Sequence, residues 1–245
     1  FDVKEQPDFA VRHINQGGWI TPTAQERDEY HWFIVRNRMN PGGVNGHPAS
    51  LYPITGDGFL AMWLPNMFAE HPEYYAMTEK GERRGGSDRF SMLCLSNPEL
   101  FDVYVDTVKK LFEANTNHWL APVGIGISPP DGAPYCYCPE CLKQSFNFDY
   151  PQYTHTPMIS EPYYDFGAKL AKEFPNKIVG MMAYSSREMP PQGVKFQPNN
   201  SLMYAPISTD SLHPFNHPTA WRTQETYKIL KQYAKFFELD GVELV

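Results

Sequence analysis

The sequence holds no uninterrupted apolar run of about 18 residues, the length a helix needs to cross a bilayer, so no transmembrane helix is expected. It also lacks any Lys/Arg cluster. Its 21 basic residues are outnumbered by 28 acidic ones, and the net charge of -7 argues against nucleic acid or an anionic membrane as partner. There is no H-E-x-x-H, no G-x-S-x-G, no P-loop and no glycine-rich dinucleotide fingerprint. Without those motifs, metalloprotease, serine hydrolase and nucleotide-enzyme readings lose their main support. Internal repeats and low-complexity linkers are missing too, and no compositional shift marks a boundary, so residues 1–245 are expected to form one domain. Phe1 opens the chain without an initiator Met, a basic stretch or an apolar leader, and residues 241–245 read as the start of a buried strand. The expectation is an export product after processing, or a piece of a longer multidomain protein.

Cysteine is scarce at four, whereas aromatics reach 15% and prolines number 23. Prolines stiffen loops. Aromatic-rich loops with few charges suit stacking on flat apolar faces, and sugar rings have such faces. With 42% hydrophobic and 20% charged residues, the chain has the material for a sizeable core, and wholesale disorder is excluded.

Short apolar runs alternate with amphipathic stretches, the pattern of βα units. Helices are expected over 25–39, 99–114, 162–174 and 220–237. For the second of these, Ser96-Asn97-Pro98-Glu99 supplies a cap, a first-turn proline and a capping acid, and Phe101, Val105, Val108 and Phe112 recur on one face. Tyr163, Phe166, Leu170 and Phe174 form the stripe of the third, which Pro175 stops. In the fourth, Tyr227, Leu230, Ala234 and Phe237 are expected to face inward. Strands are expected over 9–14, 50–54, 91–95, 123–128, 178–184, 201–207 and 241–245. Val123-Gly124-Ile125-Gly126-Ile127 and Ile178-Val179-Gly180-Met181-Met182 are apolar on both faces, as parallel strands beneath helices are. Seven strands with helices between most of them fit an α/β fold of the (β/α)8 TIM type, a barrel truncated before its last βα unit. A doubly wound sheet ranks second, because its glycine-rich loop is missing.

In such a barrel, residues just past each strand line the active face. Here they are polar: His13 and Asn15, Asn97, Asp131, Arg187 and Glu188, Asp210 and His213.

Tyr135-Cys136-Tyr137-Cys138-Pro139-Glu140-Cys141 packs three cysteines into six residues, and Cys94 closes the neighbouring strand candidate. Four thiolates complete a tetrahedral zinc shell, and C-x-x-C is the bite that lets two sulfurs reach one ion. That makes Cys94, Cys136, Cys138 and Cys141 candidate ligands of a closed structural zinc. Disulfides, one of them joining a loop cysteine to Cys94, are the alternative an exported protein would favour. Buried free thiols are a third.

Asp131 lies in Ser128-Pro129-Pro130-Asp131-Gly132, where Asp-Gly is also ordinary turn chemistry. As a functional group it would be an acid, a base or an acceptor of sugar hydroxyls at a strand exit. Glycosidases need two carboxylates, and Glu188 in Tyr184-Ser185-Ser186-Arg187-Glu188 is the natural partner unless it is a loop acid paired with Arg187. Asp210 is the other candidate, or a cap. His47 and His213 sit in Gly- or Pro-rich loops and are better site candidates than a helical histidine. Asn97 and Tyr184 join them as groups that would bond hydroxyls, and Trp32 as a stacking surface or helix core.

Several segments occur together in a specific order. Trp32-Phe33-Ile34-Val35-Arg36-Asn37-Arg38-Met39 is followed by Gly46-His47, Leu51-Tyr52 and Glu70-His71-Pro72-Glu73-Tyr74-Tyr75-Ala76. Leu93-Cys94-Leu95-Ser96-Asn97-Pro98-Glu99, Pro130-Asp131-Gly132, the cysteine run, Pro190-Pro191-Gln192-Gly193-Val194 and Ala205-Pro206-Ile207 continue it. This string resembles the bacterial domain-of-unknown-function family 4838, whose members look like relatives of α-glucuronidase and hexosaminidase barrels. The resemblance implies a (β/α)8 barrel in exported proteins of polysaccharide use, with a cysteine at the place of Cys94 beside the clustered three. A glycoside hydrolase-like enzyme acting on an oligo- or polysaccharide is the function it implies. A non-catalytic carbohydrate-binding barrel with a structural cysteine or zinc site is the alternative, and a metal-dependent hydrolase or lyase comes third.

Overall fold

The computed structural model describes scattered positions between 23 and 37, then residues 59–85, 91–114, 124–131, 135–145, 158–206, 209–210, 212–214 and 216–237. Three parallel strands form its sheet in the order β1 (Gly124–Gly126), β2 (Ile178–Ala183), β3 (Asn200–Tyr204). Ile125 pairs with Val179, and Met181 with Leu202. Helices accompany it, among them α1 (Phe59–Met62), α2 (Pro98–Glu113), α3 (Pro139–Gln144), α4 (Ser160–Glu173) and α5 (Trp221–Phe236).

Among the described residues, the eight-fold barrel expected from the sequence does not form. The sheet among the described residues is small and open, with β1 and β3 as its two ends. Alternating apolar runs and helices are common to every parallel α/β arrangement, so that pattern cannot fix the strand count. The expected strand at 91–95 shows why the count failed. Leu93 makes only an isolated antiparallel bridge to Tyr75, and the Cys94 N–H donates to the Tyr74 carbonyl at 2.9 Å. The segment then turns straight into α2, which brings Cys94 to the loop cysteines instead of into the sheet. The expected strands at 9–14, 50–54 and 241–245 lie outside the described residues.

Helix α4 is the element that covers the sheet. Tyr163, Phe166 and Leu170 are buried along it, and Phe166 receives the rings of Phe101 and Tyr104 edge-on at 5.3 and 5.1 Å. Gly167 permits this approach: a Cβ there would collide with Met181 Sδ and press on Ile127 Cδ1 at 3.0 Å. On the edge of β1 away from β2, the buried Trp63 indole N–H donates to the Gly126 carbonyl at 2.7 Å, and just beyond the strand the Leu60 N–H donates to the Ser128 carbonyl at 2.9 Å. These bonds satisfy backbone acceptors that a fourth strand would otherwise have to meet.

Candidate functional site

Three short segments converge on the cysteines. Residues 74–84 fold back on themselves, with Met77 bridging Arg83, and pair with 92–94. The Tyr137 N–H then donates to the Met77 carbonyl at 2.8 Å, laying the cysteine run against that ribbon. Cys138 caps α3, its sulfur accepting from the Cys141 N–H at 3.5 Å, so C-x-x-C is bent into one helical turn. The result is a buried cluster in which the sulfurs of Cys94, Cys136, Cys138 and Cys141 all lie within 4.8 Å of one another. Cys94 Sγ is 3.6 Å from Cys138 Sγ and 4.0 Å from Cys141 Sγ.

These distances suit a metal shell. A metal–sulfur length of about 2.3 Å places tetrahedral sulfurs about 3.8 Å apart, whereas a disulfide needs about 2.05 Å. All four cysteines are free thiols here. Contacts with Cys136 and Cys141, aided by Arg83 and Ser96, hold the Cys94 thiol far below its ordinary range. Cys136 and Cys94, with burial, push Cys141 far above it. Cys136 is pushed up to about 11: its contact with Cys141 favours the thiolate, but Cys94 and burial outweigh that. Cys136 and Cys141 therefore resist ionising beside Cys94, and a divalent cation would remove that penalty. The surroundings are already tuned to negative sulfur. The Met77 N–H donates to Cys136 Sγ at 3.4 Å, Ser96 Oγ is 3.1 Å from Cys141 Sγ, and Arg83 Nη1 is 3.8 Å from Cys136 Sγ while donating to the Tyr75 carbonyl at 2.7 Å. The cluster could hold a metal ion, and with four sulfur ligands it would leave no position open for water.

A second constellation gathers at the carboxyl ends of the strands. Beyond β1, Asp131 is exposed and its Oδ1 accepts from the Tyr184 hydroxyl at 3.1 Å. Tyr184 is the first residue past β2. Ser185 follows with φ 52°, a left-handed conformation that costs a non-glycine residue roughly 1–3 kcal/mol. That kink turns the chain inward, so Arg187 and Glu188 are buried at 2% and 3% exposure. Glu188 Oε1 accepts from the Tyr204 hydroxyl, at the end of β3, at 3.1 Å. The backbone here is pinned from behind: the Tyr164 hydroxyl donates to the Arg187 carbonyl at 2.6 Å and the Tyr233 hydroxyl to the Glu188 carbonyl at 3.0 Å. Burial raises both phenols well above their ordinary pKa, so they remain donors.

The sequence comparison adds the lineage. A family model, DUF4838, a domain of unknown function, matches residues 1–238. The chain belongs to that family. No curated protein and no solved structure matches it.

Placing the expected site residues of this DUF4838 chain gives a mixed outcome. Cys94 does meet the three loop cysteines, although it arrives on a bridge segment and not on a parallel strand. Asp131 and Tyr184 are joined directly, and Glu188 is a buried acid held by Tyr204, not an exposed one. Asp210 accepts from the Leu212 N–H and lies 2.7 Å from His213 Nδ1, forming its own exposed loop pair before α5. The His213 contact, with the Leu212 N–H, holds its carboxyl below the usual range. Asn97 caps α2, accepting from the Leu100 N–H at 3.1 Å while its Nδ2 donates to the Glu73 carbonyl, so its amide is committed to the fold. Trp32 lies on a helical stretch with 60% exposure, and His47 falls outside the described residues. Sequence reading missed Arg83 and Ser96 beside the sulfurs and Tyr204 on Glu188. Tyr204 was findable as the terminal residue of a strand, but nothing in Glu82-Arg83-Arg84 announces a role beside the cysteines.

Proposed function

We propose that this DUF4838 protein is a glycoside hydrolase-like enzyme that acts on an oligo- or polysaccharide by carboxylate acid/base chemistry at the carboxyl edge of its parallel sheet. The supporting observation is the pair Asp131 and Glu188: two carboxylates from neighbouring strand exits, one exposed and one buried, each held by a tyrosine hydroxyl. Glycosidic cleavage needs two carboxyl groups in unlike surroundings, one to protonate the leaving oxygen and one to act as base or nucleophile. Asp131, which faces solvent, takes the role of general acid or substrate-orienting acceptor, and Glu188 that of its partner. Asp210 with His213 is the alternative second acid, on the loop leading into α5. Tyr184 and His213 offer bonds to hydroxyls, and the exposed Trp32 ring offers a stacking surface.

The ion we assign to the four cysteines is zinc, because an all-thiolate tetrahedral shell is a structural zinc site. Its work is to fix the loop that begins at Asp131. Following the family resemblance, we place the protein among exported proteins of polysaccharide use.

The test is release of reducing ends from a polysaccharide panel by the wild type, Asp131→Asn and Glu188→Gln. Loss of at least about 100-fold in turnover in Asp131→Asn, with sugar affinity retained, is the expected result. Unchanged turnover in both variants would remove the carboxylates from the chemistry. Saturable sugar binding without product across the panel would instead make the protein a carbohydrate-binding module.

A further inference from the structure

We propose that Cys94 and Cys138 are a peroxide-reactive pair: oxidation joins them in a disulfide and releases the ion that the four sulfurs hold. This rests on the metal reading above and adds a modification site to it.

Although all four cysteines are buried, the cluster is not sealed. An open groove of about 440 Å³ lies beside it, and of the four cysteines Cys94 and Cys138 line that groove. Their sulfurs are 3.6 Å apart, against 4.0 Å from Cys94 Sγ to Cys141 Sγ. The groove-side pair therefore has the shorter distance to close before it reaches the bonding length of about 2.05 Å.

The same groove carries the donors the chemistry needs. Ser96 lines it, and its Oγ lies 3.6 Å from Cys94 Sγ and 3.6 Å from Cys138 Sγ, so one hydroxyl serves both sulfurs. Arg83 lines it as well and contacts Cys94. An oxygen leaving peroxide with negative charge is met there by a guanidinium and a hydroxyl, both able to donate. The rim selects the oxidant. Glu99 and Glu140 are exposed along the groove, and their charges repel anionic reagents while neutral hydrogen peroxide passes.

The electrons balance over two sulfurs. The Cys94 thiolate attacks one peroxide oxygen, the O–O bond breaks, and a sulfenic acid and a hydroxide result. The Cys138 thiolate then attacks that sulfur, forming the S–S bond and expelling a second hydroxide. Two protons from solvent turn both hydroxides into water. The sulfurs have lost two electrons and the peroxide has gained them. With two of its four ligands gone, the cluster gives up its ion, and Cys136 and Cys141 remain as thiols. The new bond joins residues 44 apart in sequence, so Cys94 stays tied to the start of α3. Cys136, which ends the length of chain begun at Asp131, loses its tether. Oxidation thus loosens the candidate acid, and a dithiol reductant with zinc restores it.

The test takes the full chain loaded with zinc and adds hydrogen peroxide, a chromogenic zinc chelator and differential alkylation read by mass spectrometry. Release should need peroxide. One zinc should leave per Cys94–Cys138 disulfide, with Cys136 and Cys141 still alkylated, and dithiothreitol plus zinc should reverse both changes. Glutathione disulfide, a larger and anionic oxidant, should act at least about tenfold more slowly at equal concentration. Ser96→Ala keeps all four ligands and should slow release about fivefold, the contribution of one hydrogen bond. No release under peroxide, a disulfide in any other pair, or release without a disulfide overturns the proposal. Glutathione disulfide matching peroxide overturns the choice of oxidant, and an unchanged rate in Ser96→Ala overturns the role of the hydroxyl. A chain that takes up no zinc yet still forms the Cys94–Cys138 bond under peroxide would sink the metal reading alone.

Discussion

Ser185 is the residue on which the strand-exit geometry turns. Its φ of 52° lets the chain fold back after Tyr184 and carry Arg187 and Glu188 inward. Only glycine adopts that conformation without cost. Ser185→Gly should therefore leave the fold intact and stabilise it by up to about 1 kcal/mol in denaturant unfolding, the relief of strain being offset by a looser unfolded chain. A clear loss of stability would mean that the serine side chain matters more than its backbone. A second prediction concerns Asp210. Its carboxyl is held down by His213 and the Leu212 N–H, so the native state favours the ionised form. Whatever stability this contributes is present above the ordinary aspartate value of 3.8 and is lost as pH falls through the lowered pKa. His213→Ala should move the Asp210 carbon-13 titration upward towards that value; no movement would show that the backbone N–H alone sets it.

At the scale of elements, Gly167 is the close approach between α4 and the sheet, and it has no spare room. Gly167→Ala should cost about 1–3 kcal/mol, read as a lowered melting temperature, because Met181 and Ile127 must move. Unchanged stability would mean that α4 sits further from the sheet. The helices were well marked in the sequence: Ser96-Asn97-Pro98-Glu99 and Pro175 are start and stop signals, and α2 runs Pro98–Glu113 and α4 Ser160–Glu173. Their buried faces were less legible. α2 turns Leu100, Tyr104 and Val108 inward, and α5 turns Thr223, Thr226, Ile229 and Tyr233 inward, in place of the more apolar Tyr227, Leu230 and Ala234. That choice follows from hydrogen bonds: Thr223 Oγ1 donates to the Asp210 carbonyl at 3.1 Å, and the Tyr233 hydroxyl donates to the Glu188 carbonyl at 3.0 Å. A hydrophobic stripe cannot reveal a face buried because its polar groups are satisfied. For the same reason, the cysteine spacing announced a cluster, while Arg83 and Ser96 came only with the fold.

At the scale of the molecule, the four-cysteine cluster and the strand-exit site share one length of chain. Asp131 is joined to Tyr184 at one end of residues 131–136, and Cys136 is fixed among the sulfurs at the other. The cluster also gathers the 74–84 ribbon, the start of α2 and the cap of α3. A metal there would hold the candidate acid in place without touching substrate, in the manner of a rigid support around a functional group. The most direct measurement is metal content per chain together with a thiol count after denaturation, on protein purified without added metal or reductant. A closed thiolate centre requires one zinc per chain and four titratable thiols once the ion is chelated. No metal, with the four sulfurs locked in two disulfides, would contradict it.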